Sequence, residues 1–233
     1  MSESANAPRL DHEARHRAVV EKIVAELRPV RRLWPVRVRL AVWIAIEAGL
    51  LFLIIRNTHR TDLAQHFRNP WFLAGVGGFA VTGAIGAAFA LRSAIPGRAP
   101  RRVEIGLLLV LTLASALLLL HERVNLATPL GTFIHQGLRC AIEIQVLAFL
   151  PLLVLFFAVK RGAPLAAGIG GALAGAGAFL FSFAFMRVNC PIDEGLHLLI
   201  WHLLPALLGV ALSACAGFLV FRKRRGVGHT SPR

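Results

Sequence analysis

The residues with the clearest chemical potential lie in one short stretch, "NCPIDEGLHLLIWH" at 189–202, beside a long apolar run. This stretch combines a thiol (Cys190), two carboxylates (Asp193 and Glu194) and an imidazole (His197). Thiolates and imidazoles bind soft metal ions such as Zn²⁺, and thiols also undergo oxidation. The stretch therefore indicates metal binding or thiol redox chemistry.

A continuous helix through this stretch would place Cys190, Glu194, His197 and Trp201 on one face, with His202 pointing elsewhere. That face could form part of a soft-metal site, although the sequence contains neither CxxC nor HxxxH spacing. The alternative is an interfacial role, because histidine and tryptophan are amphipathic side chains that also suit the edge of a membrane.

An ordinary helix start would also explain part of the stretch. Pro191 suits the first position of a helix, where its missing N–H costs nothing. Asp193 and Glu194 would then lie in the first turn, where carboxylates interact favourably with the helix dipole.

The elements that must position these residues are membrane-spanning helices. Of the 233 residues, 56% are hydrophobic and 16% are charged, a balance typical of an integral membrane protein. A crossing needs about 20 mainly apolar residues. We predict an all-α integral membrane bundle of six transmembrane helices at 38–55, 71–91, 103–121, 140–159, 165–186 and 196–221. The predicted parts are a cytoplasmic segment 1–37, a transmembrane domain 38–221 and a basic cytoplasmic tail 222–233.

Basic residues predict the orientation of the bundle. Twenty of the 26 Lys and Arg residues fall on the side that holds both termini, and six fall on the other side. Cytoplasmic loops carry such an excess, so both termini are predicted to be cytoplasmic. The net charge of +14 is thereby explained by topology, and we predict no direct nucleic-acid partner.

This topology places Cys140 at the outer end of the fourth span, level with Cys190. The two form either a functional pair or two small hydrophobic residues, and Glu143, one turn deeper, could assist them as a ligand. The third cysteine, Cys215, lies 25 residues beyond Cys190, or ~37 Å along a continuous helix, too far to form a disulfide with it.

One acid interrupts the first span, and no catalytic motif appears. Glu47 lies mid-span without a Lys or His one turn away, which favours a packing or protonated carboxyl over a proton relay. There is no GxSxG, Walker A, HExxH or suitable GxGxxG motif, so we predict that the protein is not an enzyme.

The N-terminal segment contains apolar residues at helical spacing, which predict an amphipathic helix that ends before Pro29. They are Val19, Val20, Ile23, Val24 and Leu27. The "PVRRLWP" that follows fits a basic, aromatic anchor at the membrane surface. An apolar helix face also fits a partner's groove, and both interpretations stay open.

Four pieces of the sequence resemble the bacterial negative regulators of sigma F, the NrsF family of six-span membrane anti-sigma factors. They are "VAELRPVRRLWP" at 24–35, Cys140, "KRGAPLAAGIGGALAG" at 160–175 and "NCPIDEGLHLLIWHLLP" at 189–205. The resemblance implies an inner-membrane protein that holds an extracytoplasmic-function sigma factor. It also implies that Cys140 and Cys190 face the periplasm and sense metal or oxidative stress.

The resemblance further implies sigma-factor docking around "LRPVRRL". The candidate docking residues are Ile23, Leu27, Pro29, Arg31, Arg32 and Leu33. No resident cofactor is expected, apart from a soft metal bound transiently at Cys140 and Cys190. The alternative function is a thiol-disulfide or metal-handling membrane enzyme or transporter that uses the same two cysteines.

Overall fold

The computed structural model describes residues 7–26, 33–57, 60–95, 97–122, 129–162 and 164–222. The chain divides into two compact units, residues 1–33 and 34–233. In the first unit, the helix α1 spans Ala7–Glu26, and its predicted end before Pro29 lies outside the described residues. Its residues 14–25 are exposed, including the apolar Val19, Val20, Ile23 and Val24.

Among the residues that the structure describes, the second unit contains helices and their connections but no strand, and six of its helices are long and apolar enough to cross a membrane. This confirms the predicted all-α, six-span architecture. The elements are α2 (Val36–Asn57), α3 (Leu63–His66), α4 (Pro70–Ser93), α5 (Arg102–Leu118) with a 3₁₀ turn at Leu119–His121, α6 (Leu130–Arg161), α7 (Ala167–Asn189), α8 (Gly195–His197), a π-helical segment at Leu198–Leu203, and α9 (Leu204–Arg222). The last three elements together form the sixth span.

The first half of α6 is where the observed spans differ most from the predicted ones. We predicted a start at 140, but α6 begins at Leu130. The reason is that "LGTFIHQGLR" contains polar and basic residues and is not an apolar run, although its backbone continues the helix. The other observed helices begin and end within three residues of the predicted bounds.

Helix α7 forms the centre of the bundle and packs mainly against α4 and α9. Small residues permit this close approach. A Cβ atom on Gly171 would overlap the carbonyl oxygen of Ser213 and lie 2.8 Å from the Cα of Gly217. Gly175 is similarly tight against Ser213, whereas a Cβ on Gly168 would be 3.7 Å from its nearest neighbour. Gly171 and Gly175 therefore permit the close contact between α7 and α9 more than Gly168 does.

The alternating direction of the spans brings the connections after α2, α5 and α7 to one end of the bundle. Arg60, which follows α2, hydrogen-bonds the carbonyl oxygen of Cys190, which follows α7. Glu122, which follows α5, forms an ion pair with Arg187 near the end of α7. This end of the bundle, opposite the start of α2 and the end of α9, holds the chemistry predicted from the sequence.

Candidate functional site

The connection between α7 and α8 presents Cys190. Because the residue before a proline is disfavoured in helical conformation, Cys190 adopts an extended backbone (φ −73°, ψ 127°) ahead of Pro191. Its N–H still donates to the carbonyl oxygen of Met186 at 2.7 Å, which closes α7. The thiol is therefore held in a defined place at the end of a buried helix.

The expected helix start at Pro191 is wrong. The helix resumes only at Gly195, with Glu194 at the N-cap position, so 191–194 form a non-helical connection. The predicted continuous face through Cys190, Glu194, His197 and Trp201 does not exist, because the chain between Cys190 and Gly195 is not helical.

The expectation that His202 points elsewhere is also wrong. Residues 198–203 form a π-helix, in which the backbone bonds i to i+5 and residues five apart lie above one another. His197 and His202 therefore share a face, with ring centroids 5.2 Å apart. In an α-helix, residues five apart would lie on different faces.

Four ligand-type side chains meet at this point. The sulfur of Cys140 lies 3.7 Å from the sulfur of Cys190, which in turn lies 3.7 Å from Nε2 of His197. With His202 included, one ligand atom from each side chain lies within 4.8 Å of every other, and all four residues are buried. We call Cys140, Cys190, His197 and His202 the thiol–imidazole cluster.

The position of Cys140 depends on a close contact between α6 and the π-helical segment. Gly137, one turn before Cys140, has no side chain, and the indole of Trp201 packs where a Cβ would otherwise be. Cys140 lies ten residues inside α6, about 15 Å from its first residue, and not at the helix end as predicted. The π-helical segment reaches it from the side.

Aromatic rings and apolar side chains surround the cluster. The ring of Phe133 lies 6.3 Å from that of His197, and the ring of Phe183 lies 5.8 Å from that of His202. Both cysteines belong to the larger apolar core of the bundle. Both ring nitrogens of His202 are buried without a hydrogen-bond partner among the described residues.

An ion-pair network adjoins the cluster and fixes the backbone at Cys190. The buried guanidinium of Arg60 donates to the carbonyl oxygens of Cys190 and Arg187 and pairs with Asp193. Arg187, also buried, pairs with Asp193 at 3.1 Å and with Glu122. In the sequence, Arg60 and Arg187 are visible only as two of the basic residues that predict topology. A charged residue at the end of an apolar run, as at 187, is the signal that could have suggested a buried pair.

Electrostatics outside the spans follow from these contacts. The hydrogen bond from Arg60 lowers the pKa of Asp62. Burial lowers the pKa of Arg60, but the bonds to Asp193 and Asp62 outweigh it, so that this pKa is raised. The hydrogen bond with Cys140 lowers the pKa of the Cys190 thiol, although burial raises it. The hydrogen bond with His197 also lowers this pKa.

The three predicted supporting carboxylates do not join the four ligand atoms of the cluster. Glu143 pairs with Arg139 on α6 at 2.9 Å. Asp193 pairs with the two buried arginines and, at 2.9 Å, with His66. Glu194 occupies the N-cap position of α8.

The remaining candidate residues of the spans lie elsewhere. Cys215 is an exposed free thiol on α9. Glu47 is fully buried in α2, and neither of its carboxylate oxygens has a hydrogen-bond partner among the described residues.

The candidate docking residues are only partly described. Ile23 is exposed on α1, and Leu33 is half-buried. Leu27, Pro29, Arg31 and Arg32 lie outside the described residues.

Comparison with protein families gives one match, to the family described as "Negative regulator of sigma F" (NrsF), over residues 23–222. No curated protein and no solved structure matched the chain. The matched range includes all six spans, the thiol–imidazole cluster and the end of α1. This match covers most of the 233 residues, and the chain therefore belongs to the NrsF family of negative regulators of sigma F.

Proposed function

We propose that this protein is an inner-membrane anti-sigma factor that holds an extracytoplasmic-function sigma factor and releases it when Cys140 and Cys190 react with a metal or an oxidant. Family membership supports the sigma factor as partner. The observation that carries the sensing role is the 3.7 Å approach of two buried thiols at the end of the bundle opposite the start of α2. The protein acts in this proposal as a regulator and not as an enzyme.

The predicted orientation supports a signal that crosses the membrane. With both termini in the cytoplasm, the thiol–imidazole cluster belongs to the periplasmic half of the bundle, where thiols can be oxidised. The segment 15–37 then lies in the cytoplasm, where a sigma factor is found. In this proposal, sensing is assigned to the bundle and capture to the N-terminal segment.

The two kinds of signal differ in the free energy they supply. A divalent metal would displace one proton from each thiol, whereas an oxidant would remove two protons and two electrons and join the sulfurs. Moving an equilibrium from 1:99 to 99:1 takes ~5.5 kcal/mol. A disulfide typically contributes ~2–4 kcal/mol, and structural zinc binding ~10–16 kcal/mol. A metal that binds only the released state can therefore supply the full switch, whereas a disulfide confined to that state supplies part of it.

Capture is proposed to use the exposed apolar residues of α1. Val19, Val20, Ile23 and Val24 are each exposed, and an exposed apolar row on a helix is what a partner's groove binds. Leu33, a candidate docking residue from the sequence, is half-buried.

The experiment measures binding of an extracytoplasmic-function sigma factor from the same genome to the full-length protein in nanodiscs. Ile23→Gln is expected to weaken binding by about 2 kcal/mol, or roughly 30-fold in Kd, as for the loss of an interface hot spot. Lys22→Gln is the matched control, because it places the same residue at an exposed position outside the apolar row. Failure of the wild-type protein to bind any such sigma factor would contradict the proposed function. Equal binding by both variants would remove α1 as the docking element.

A further inference from the structure

We infer that the thiol–imidazole cluster is a single four-coordinate binding site for a divalent thiophilic ion of the zinc group, with His197 and His202 as ligands equal in rank to Cys140 and Cys190. The inference deepens the proposed function, on which it rests for its regulatory consequence. The new element is the role of the two histidines as ligands. A pair of thiols alone would suffice for a response to an oxidant.

The distances fit a tetrahedral ion. With Zn–S bonds of ~2.3 Å and Zn–N bonds of ~2.0 Å, a tetrahedron separates two sulfurs by roughly 3.8 Å and a sulfur from a nitrogen by roughly 3.5 Å. The observed separations are 3.7 Å between the sulfurs of Cys140 and Cys190, and 3.7 Å from Cys190 to Nε2 of His197. These two separations match the expected ones, and a ring nitrogen of His202 lies within 4.8 Å of a ligand atom from each of the other three residues.

His202 provides an independent observation. Its ring is fully buried beside Phe183, and neither nitrogen has a hydrogen-bond partner among the described residues. A buried polar group without a partner is costly, so native proteins seldom keep one without a reason. Coordination of an ion at the centre of the cluster would supply that partner.

Charge balance selects a divalent ion. Two thiolates carry a charge of −2, and two neutral imidazoles carry none, so a 2+ ion makes the complex neutral. A neutral complex suits an apolar environment such as that formed by Phe133 and Phe183. Binding forms two metal–sulfur and two metal–nitrogen bonds, and the two thiol protons pass to solvent.

The donor set selects the zinc group among divalent ions. Sulfur and imidazole ligands favour Zn²⁺ and the softer Cd²⁺ over Mg²⁺ and Ca²⁺, which prefer oxygen. The nearby group of Asp62, His66 and Asp193 is a poorer candidate. Its carboxylates already pair with Arg60 and Arg187, which compensate their charge.

The framework holds three of the four ligands through backbone geometry. Cys190 is fixed by Pro191 on one side and by the bond from Arg60 to its carbonyl oxygen. His197 and His202 are aligned by the π-helical segment, and π-helical turns occur frequently at functional sites. Ordering before binding lowers the entropic cost of assembling a metal site.

The test uses full-length protein in detergent with Cd²⁺ alone as the probe. Stoichiometry is measured by equilibrium dialysis, affinity by competition with a chelator, and sulfur ligation by thiolate-to-cadmium absorption. We expect one Cd²⁺ per chain and about 100-fold weaker binding by His197→Ala and by His202→Ala, since each removes one of four ligands. His202→Cys, which keeps a soft ligand, is expected to recover most of the affinity.

Two controls separate ligation from general damage. His135→Ala removes an exposed imidazole from α6, the helix that carries Cys140, and Cys215→Ser removes a thiol outside the cluster. Both are expected to bind Cd²⁺ as the wild type does. If a histidine-to-alanine variant does not remain monodisperse, the His202→Cys variant decides the question, because loss of binding there would contradict ligation at that position.

The outcomes distinguish this inference from the proposed function. Wild-type affinity in both histidine-to-alanine variants would overturn the four-ligand site and leave a two-thiol sensor in place. Histidine-dependent Cd²⁺ binding without release of a bound sigma factor would support the site and contradict the proposed sensing role.

Discussion

At the scale of single residues, the thiols do not act alone. Cys140 and Cys190 were singled out from the sequence because topology placed them at one end of the bundle. The structure groups them with His197, already a candidate, and with His202, and Arg60 hydrogen-bonds the backbone at Cys190. A sulfur surrounded by imidazoles and held by a fixed backbone is better prepared for a metal than a cysteine on a mobile loop.

Arg60 has the most contacts with the backbone around Cys190, and we predict that its loss loosens the cluster. Arg60→Met removes the bonds to the carbonyl oxygen of Cys190 and to Asp193. The unfolding free energy should fall by about 2 kcal/mol, as for hydrogen bonds to a charged group, and alkylation of Cys190 by a maleimide should become faster. Chemical denaturation and labelling kinetics measure the two effects.

The control for Arg60 is Arg68→Met, since Arg68 is an exposed arginine of the same connection. It should leave both quantities near the wild-type values. If Arg60→Met and Arg68→Met behave alike, the buried guanidinium does not position Cys190.

Sequence reasoning at this scale had a definite limit. Cys140 and Cys190 were accessible to it, because spans and loops follow from hydropathy. His202 was not, since placing it on the face of His197 requires a π-helix, and no residue pattern in "LLIWHL" indicates one. The pairing of Asp193 with two arginines from distant segments was likewise inaccessible without tertiary contacts.

At the scale of elements, the contact between α6 and the π-helical segment sets the distance between the two thiols. Gly137 permits it, because the indole of Trp201 occupies the space of a side chain there. Phe133, one turn earlier on α6, contacts the same indole with a centroid distance of 5.9 Å.

We predict that Gly137→Ala separates the thiols. The added Cβ would overlap the indole of Trp201, and overpacking of this kind typically costs about 1–3 kcal/mol. Cd²⁺ affinity and the thermal unfolding midpoint should both decrease. Gly131→Ala is the matched control on the same helix, because a Cβ there has no heavy atom within 4 Å. Unchanged Cd²⁺ binding by Gly137→Ala would show that this contact does not govern the cluster.

The elements themselves were largely predictable. Runs of apolar residues mark six crossings because lipid excludes charged side chains and unpaired backbone groups. The extension of α6 to Leu130 was missed, because a helix that continues beyond its apolar run leaves no hydropathy signal. The non-helical connection at 191–194 was missed because proline and acids also suit a helix start.

At the scale of the whole molecule, the proposed function requires a signal to pass from the thiol–imidazole cluster through the bundle. Helix α7 connects the thiol–imidazole cluster to the rest of the bundle, since it ends at the cluster and packs against α4 and α9. The close glycine contacts between α7 and α9 make this part of the bundle stiff, so displacement at Cys190 can be transmitted along it. The orientation of the bundle follows from the basic residues and remains a prediction.

The most direct test of the account is release of a bound sigma factor from the full-length protein in nanodiscs during titration with Cd²⁺. We predict nearly complete release from the wild-type protein, because a metal that binds the released state alone exceeds the ~5.5 kcal/mol that a full switch requires. Cys140→Ser and Cys190→Ser should retain the sigma factor at the same Cd²⁺ concentration, and Cys215→Ser should release it. Retention by the wild-type protein at saturating Cd²⁺, or equal release from all the cysteine variants, would contradict the account.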